Sequence, residues 1–315
     1  MLDQAELNLF QSEVESVFGQ VSMKYCDIHE YLGMVFDYSN PGQVKVNIKK
    51  YLTDIVTEAN ITSSADTPAA DNLFANSLDS PLLPEPMREN LDRVVAQLLY
   101  AAVRVRPDIL LPIIFLSSRV TKATSEDAHK LRRVLRYLHG TLDMGIFLGG
   151  DKDGVLRVYT YADASYGVHP DAKSHSGMFI SLGRGPTMTK SVKTKIVPKS
   201  STEAELVTLS DTMSLAAYQL NFLESLGFDV KPGILYQDNI STMRLAQNGR
   251  SNSDRTKHIK IRYFFVKQYL DSGEFEMVHC PTDLMVADIL TKPLQGEAFR
   301  RLRDYLLGIL PVTQA

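Results

Sequence analysis

The sequence predicts an α/β protein with a mixed sheet in its second half, preceded by a mainly helical first half that carries one β-hairpin. Three observations predict it. Residues 156–192 hold three strand-like runs separated by the turn clusters "GVHPDAKSHS" and "GRGP". "TSEDAHKLRRVLRYLHG" and residues 201–226 repeat apolar residues at helical spacing. Short apolar runs, "GILYQ" and "EFEMVHC", then alternate with helical segments, the pattern of right-handed crossovers between parallel strands.

The first 60 residues read as an opening helix, a hairpin and a second helix. "YLGMVFDY" and "QVKVNI" are the hairpin strands, with Ser39, Asn40, Pro41 and Gly42 as the turn between them. "ITSSADTPAADNLFANSLDSPLLPEP" holds too many Ser, Asp and Pro for a regular element and reads as an extended or partly mobile connection. "ENLDRVVAQLLYAAV" is helical. "PDILLPIIFLSSRV" has a Pro at its start and another at Pro112, where a kink or restart is expected. In the next helix Thr124 or Ser125 caps the start, and Glu126 and Asp127 suit the first-turn dipole. Leu131, Val134, Leu135 and Leu138 form its stripe, Gly140 suits its end, and Arg132, Arg133 and Arg136 read as a solvated face.

Three strands open the second half, Leu156 to Ala162, Gly177 to Leu182 and Thr187 to Val192, separated by turns as in an antiparallel meander. Val158, Thr160 and Ala162 face one side of the first strand, and Tyr159 and Tyr161 the other. A long helix follows from about Ser201 to Leu226; Ser200 and Glu203 fit a capping box, Val207, Ala217, Leu220 and Leu223 lie on its buried face, and Gly227 stops it. "GILYQ" ends in Asp238 and leads to the short helix "ISTMRLAQN". A further helix from about Asp254 to Asp271 keeps Ile259, Tyr263, Val266 and Leu270 in register. "EFEMVHC" is the last strand, and "PTDLMV" leads to Asp288 and a helical segment interrupted by Pro293. The order is three strands, helix, strand, helices, strand, helix.

The composition excludes several classes. At 315 residues, 44% hydrophobic and 23% charged, the chain suits a soluble globular protein with room for two domains, divided as residues 1–150 and 151–315. No apolar run approaches the roughly 20 residues of a membrane span, and "MLDQAELNLF" lacks the features of a signal peptide. An intracellular setting with no membrane partner is expected. Cys26 and Cys280 are too few and too distant for a disulfide framework or a zinc cluster. The net charge of −3 divides into −5 for residues 1–150 and +2 for the rest, so the second half is the better partner for a polyanion. Lys190, Lys193, Lys195 and Lys199 form one basic group there, and Arg250, Arg255, Lys257, Lys260 and Arg262 another. Each group alone also fits a solvated face.

Four acids take comparable places: Asp163 at the end of the first strand, Glu205 in the first turns of the long helix, Asp238 after the fourth strand, and Asp288 at the start of the last helical segment. Each alone has a structural explanation as a strand end, a cap or a first-turn acid. Together they converge on one edge of an α/β sheet, where sites collect. Carboxylates crowded there repel one another unless a cation neutralises them, and oxygen donors without Cys or His suit Mg²⁺ or Mn²⁺.

"YADASY", "KSSTEAEL", "LYQDNISTMRLAQN", "RTKHIKIRYFFVK" and "PTDLMVADILTKPL", in that order, resemble the ribonuclease H domain of copia-type long-terminal-repeat retrotransposons. Upstream, "EYLGMVFDY" resembles the segment that follows the polymerase active site of the same polyprotein, and "RPDILLPIIFLSSRVTKATSEDAHKLRRVLRYLHGTLDMGI" resembles its thumb and connection region. The resemblance implies a ribonuclease H-like fold for residues 151–315 and a reverse transcriptase remnant, the palm end with thumb and connection, for residues 1–150. It implies metal-dependent hydrolysis of the RNA strand of RNA/DNA hybrids by two Mg²⁺ ions, for which Mn²⁺ can substitute, leaving a 5′ phosphate and a 3′ hydroxyl. Asp163 would bridge the ions, Glu205 and Asp238 would hold one, and Asp288 would help hold the other. Glu205 rather than Glu203 follows from the family pattern, with Glu203 as the alternative. The polyprotein context implies a cytoplasmic virus-like particle or the nucleus as the place of action, with other parts of the polyprotein as partners.

Lys199, Arg255, Lys257, His258, Arg262 and His279 are the candidates for substrate contact. His258 and Arg262, one helical turn apart, suit either a phosphate or bonding to neighbouring backbone, and His279 suits a role in product release. The sequence has no Asp-Asp dipeptide, so no polymerase activity is expected and the chain reads as truncated. The rival to a nuclease is a catalytically silent retroelement protein that only binds nucleic acid. A transposase or integrase would need a D, D, E order, which does not match a Glu in second place.

Overall fold

The computed structural model describes residues 4–75, 79–151, 153–230, 232–248 and 260–312. After the helix α1 (Gln4–Phe18), the strands β1 (Ile28–Tyr31), β2 (Met34–Asp37), β3 (Gln43–Asn47) and β4 (Ile146–Gly149) form an antiparallel sheet in that order. The expected hairpin is β2 and β3. "YLGMVFDY" is not one strand, however: it folds back at Leu32 and Gly33, whose φ values of 51° and 75° suit a two-residue hairpin turn. β4 is an addition to the expected elements. Four residues are too few to show a period, and its partner strand lies far upstream.

The buried residues of the helices α2 (Lys49–Glu58), α3 (Glu85–Arg104), α4 (Leu110–Ser117) and α5 (Ser125–His139) share one core with Met34, Val46 and Ile146 of this sheet. Of the kink or restart expected at Pro112 the restart is present: a 3₁₀ turn over Pro107–Ile109 gives way to α4 just before the proline. It stands in the first turn of α4, where a backbone N–H has no intrahelical acceptor to lose. Thr124 caps α5 in a capping box completed by Asp127. The connection before α3 is anchored as well. Arg133 and Arg136 donate to the carbonyls of Thr67 and Ser64, and Leu73 and Phe74 are buried.

In the second half β5 (Tyr159–Ser165), β6 (His175–Ser181) and β7 (Met188–Lys193) form the expected meander. β8 (Gly233–Gln237) lies parallel to β5, and β9 (Phe275–His279) parallel to β8, giving the order β7-β6-β5-β8-β9. The remaining helices are α6 (Ser201–Ser225), α7 (Ile240–Asn248), α8 (Lys260–Asp271) and α9 (Gly296–Leu306). The element order, three strands, helix, strand, helices, strand and helix, is the one the sequence predicts. β5 begins and ends later than expected, so Asp163 sits within the strand, paired with Gly177, rather than after its end.

The alternation along β5 divides the core. Val158 and Ala162 join Leu209, Met213, Ala216 and Leu220 of α6 on one face of the sheet. Tyr159, Tyr161, Phe179 and Tyr236 face the other way and join the apolar residues of α2 to α5 in one continuous cluster. The core therefore crosses residue 150. Phe74 packs edge-on against Phe115 and His169, with ring centres 5.7 and 4.8 Å apart, and Tyr137 of α5 meets Phe299 of α9. Among the described residues no helix is long and apolar enough to cross a membrane.

Candidate metal centre

Strand β5 carries Asp163 into the interior, where it is 1% exposed. The first turns of α6 bring Glu205, the segment after β8 brings Asp238, and a 3₁₀ turn at Val286–Leu290 brings Asp288. Asp163, Glu205 and Asp238 each offer an oxygen, and these atoms lie within 4.8 Å of one another.

The neighbouring residues take up the competing structural roles. Ser200 Oγ accepts from the Glu203 N–H at 3.1 Å, and Glu203 Oε2 accepts from the Lys199 N–H at 2.7 Å, so Glu203 serves the start of α6. Glu205, half a turn on, faces Asp163 and Asp238. Asn239 rather than Asp238 caps α7, its Oδ1 accepting from the Thr242 N–H at 3.1 Å. Asp238 thus stays in the cluster, where the Thr282 hydroxyl donates to it at 3.3 Å.

Asp288 reaches the cluster through a close contact between its turn and the sheet. A Cβ at Gly177 would lie 2.6 Å from Thr291 Cγ2 and 2.8 Å from the Ala287 carbonyl, so glycine is what lets the turn pack there. The Thr291 hydroxyl donates to Asp163 Oδ2. Lys292 Nζ lies 2.8 Å from Asp288 Oδ1 and 3.3 Å from Asp163 Oδ1. Gly177, Thr291 and Lys292 were not among the sequence candidates. The available signal was "DILTK", which sets a hydroxyl and a cation three and four residues after Asp288.

Glu205, Asp238 and Asp288 are shifted upward, by burial first and by neighbouring charge second. Burial first, then the charges of Asp163 and Asp238, push the Glu205 carboxyl up to about 9. Burial and Asp163 push Asp288 up to about 7 despite Lys292, and the same two causes raise Asp238. For Lys292 burial works against the charge, yet Asp163 and Asp288 hold its pKa above the ordinary lysine value. Glu205 Oε2 is buried with no hydrogen-bond partner, an expensive state for a carboxylate oxygen. An all-oxygen donor set with a buried unpaired oxygen fits a hard divalent cation.

The substrate candidates are scattered. Lys199 is exposed just before α6, and His279 is exposed at the end of β9. Arg262 donates to Asp211 Oδ1 at 2.6 Å and to the Val207 carbonyl at 3.4 Å, the backbone-bonding arrangement that ties α8 to α6. Arg255, Lys257 and His258 lie outside the described residues, as does Ile259 of the expected helical stripe.

Two curated relatives cover most of the sequence. The Pol polyprotein of transposon RE2 of Arabidopsis thaliana is 33% identical over 290 residues, 91% of this chain and 19% of the relative. That of transposon RE1 is 32% identical over 297 residues, 93% of this chain and 20% of the relative. The chain belongs to the Pol polyproteins of copia-type retrotransposons. The Pol polyprotein of transposon TNT 1-94 of Nicotiana tabacum is 29% identical to this Pol segment over 270 residues. The Pol segment spans about a fifth of the length of these relatives, 19% and 20% for the first two. No family model matches it. A solved ribonuclease H1 isolated from compost aligns with 43% of the Pol segment and 92% of its own chain, at 16% identity and a TM-score of 0.33.

Proposed function

We propose that this Pol segment is a metal-dependent endonuclease that hydrolyses the RNA strand of RNA/DNA hybrids in retrotransposon reverse transcription. Residues 151–315 are then its ribonuclease H domain, and residues 1–150 the palm end with thumb and connection, which support it through the shared core. The observation that carries this reading is the cluster of buried Asp163 and Glu205 with half-buried Asp238 within 4.8 Å, with Glu205 Oε2 unpaired.

Asp163, Glu205 and Asp238 would hold one divalent ion, Mg²⁺ or Mn²⁺, and Asp163 with Asp288 a second. When bound, such ions activate a water, stabilise a leaving oxygen and neutralise charge on a phosphate. The chain's own contribution is placement. β5 fixes Asp163 between the other acids, Thr291 orients its Oδ2, and the Gly177 contact seats the turn that carries Asp288. Lys199 stands at the end of α6 that carries Glu205 and is placed to meet a substrate phosphate. RNA is selected through its 2′-hydroxyl and duplex shape, so cutting is largely independent of base sequence. The sequence has no Asp-Asp dipeptide, and we assign this segment no nucleotide-adding step.

The test is a hybrid with both strands labelled, incubated with the protein and Mg²⁺. Shortened RNA beside intact DNA supports the proposal. A hybrid that is bound but uncut in both Mg²⁺ and Mn²⁺ overturns it and leaves a silent binding protein.

A further inference from the structure

The four acids do not share one environment. Asp163, Glu205 and Asp238 form the group within 4.8 Å, and Asp288 lies outside it. Asp288 instead meets Asp163 through Lys292, whose ammonium touches an oxygen of each at 2.8 and 3.3 Å. A metal ion held by those same two oxygens would have to displace the ammonium from them. Lys292 thus already supplies a positive charge where a second ion would sit, whereas Glu205 Oε2 on the other side has no partner.

Lys292 is also built to leave. Its side chain is 37% exposed, on a flexible four-carbon stem, while Asp163 and Asp288 are 2% and 8% exposed. Its removal would return to the two aspartates a repulsion that a divalent ion relieves.

We propose that Lys292 is a tethered competitor for the second metal position, so that one divalent ion binds readily at Asp163, Glu205 and Asp238 and a second binds only as Lys292 withdraws. The proposal rests on the metal-centre reading above. It makes the second ion conditional: a substrate phosphate that attracts the ammonium would free Asp163 Oδ1 and Asp288 Oδ1 together, coupling metal loading to substrate.

Isothermal titration of the full chain with Mn²⁺, without nucleic acid, tests this. Wild type is expected to bind one ion tightly and a second about tenfold or more weakly. Lys292→Met is expected to bind two ions with similar affinity, Lys292→Gln to do the same, and Lys292→Arg to keep the wild-type pattern. Circular dichroism melting verifies that each variant is folded. Wild type that binds Mn²⁺ with an isotherm unchanged in folded Lys292→Met and Lys292→Gln overturns the lysine proposal alone. Wild type that binds no Mn²⁺ overturns the metal-centre reading with it.

Discussion

Replacing Glu205 by Gln removes the titratable group from the crowded site while keeping the shape of the side chain. In the fold Glu205 keeps its proton up to about pH 9, against an ordinary value of 4.5. Between these values the unfolded chain carries fewer protons, so the stability present below pH 4.5 is lost as pH rises towards 9. Each pH unit in that window costs about 1.4 kcal/mol, which makes the loss about 3 kcal/mol by pH 7. The glutamine variant, with nothing to titrate at this position, has no such loss. In urea unfolding with EDTA at pH 5 and pH 8, the gap between the two proteins should widen in the variant's favour by about 3 to 4 kcal/mol. The comparison cancels every other titrating group they share. Mg²⁺ should then stabilise wild type and leave Glu205→Gln nearly unchanged. A gap that does not change with pH, or equal stabilisation of both proteins by Mg²⁺, would refute the assignment of Glu205 to the site.

Two further outcomes follow from contacts near the site. Ala at Gly177 drives a Cβ against Thr291 and the Ala287 carbonyl, so Gly177→Ala should cost about 1–3 kcal/mol in urea unfolding and weaken Mn²⁺ binding; unchanged binding would mean the turn does not position Asp288. Burial, then His169 and Lys193, push His175 down from 6.5 to about 3, so its contribution is present above pH 6.5 and lost as pH falls towards 3. Relative to His175→Gln, wild type should lose about 2 kcal/mol between pH 6.5 and pH 5, and parallel stability profiles would show that His175 is not held neutral.

The second sheet was legible because its strands obey a two-residue period. The alternation of Val158, Thr160 and Ala162 with Tyr159 and Tyr161 correctly separates the α6 side of the core from the other side. Strand ends were less legible, since Asp163 and Ser165 are as buried as the tyrosines and nothing in their polarity marks them as strand. β4 and the turn at Leu32 and Gly33 were hidden because each strand there is only four residues long. Pro112 marked the restart but not its exact position, because the start of α4 is set by the tertiary placement of a short apolar helix. At the site the order of the acids showed in the sequence. The capping role of Glu203 showed there too, as a box with Ser200; the division between Asp238 and Asn239 did not, because it depends on which side chain reaches a backbone N–H. Lys292 was hidden by its ordinariness: only the packing of the 3₁₀ turn beside Gly177 brings it to Asp163.

The most direct measurement compares wild type with Asp163→Asn on an RNA/DNA hybrid labelled in the RNA strand, in Mg²⁺, on a denaturing gel. Wild type should give shortened RNA ending in a 3′ hydroxyl. Asp163→Asn, folded by circular dichroism, should leave the RNA intact, and RNA cut equally by both proteins, or by neither, would contradict a nuclease built on this carboxylate cluster.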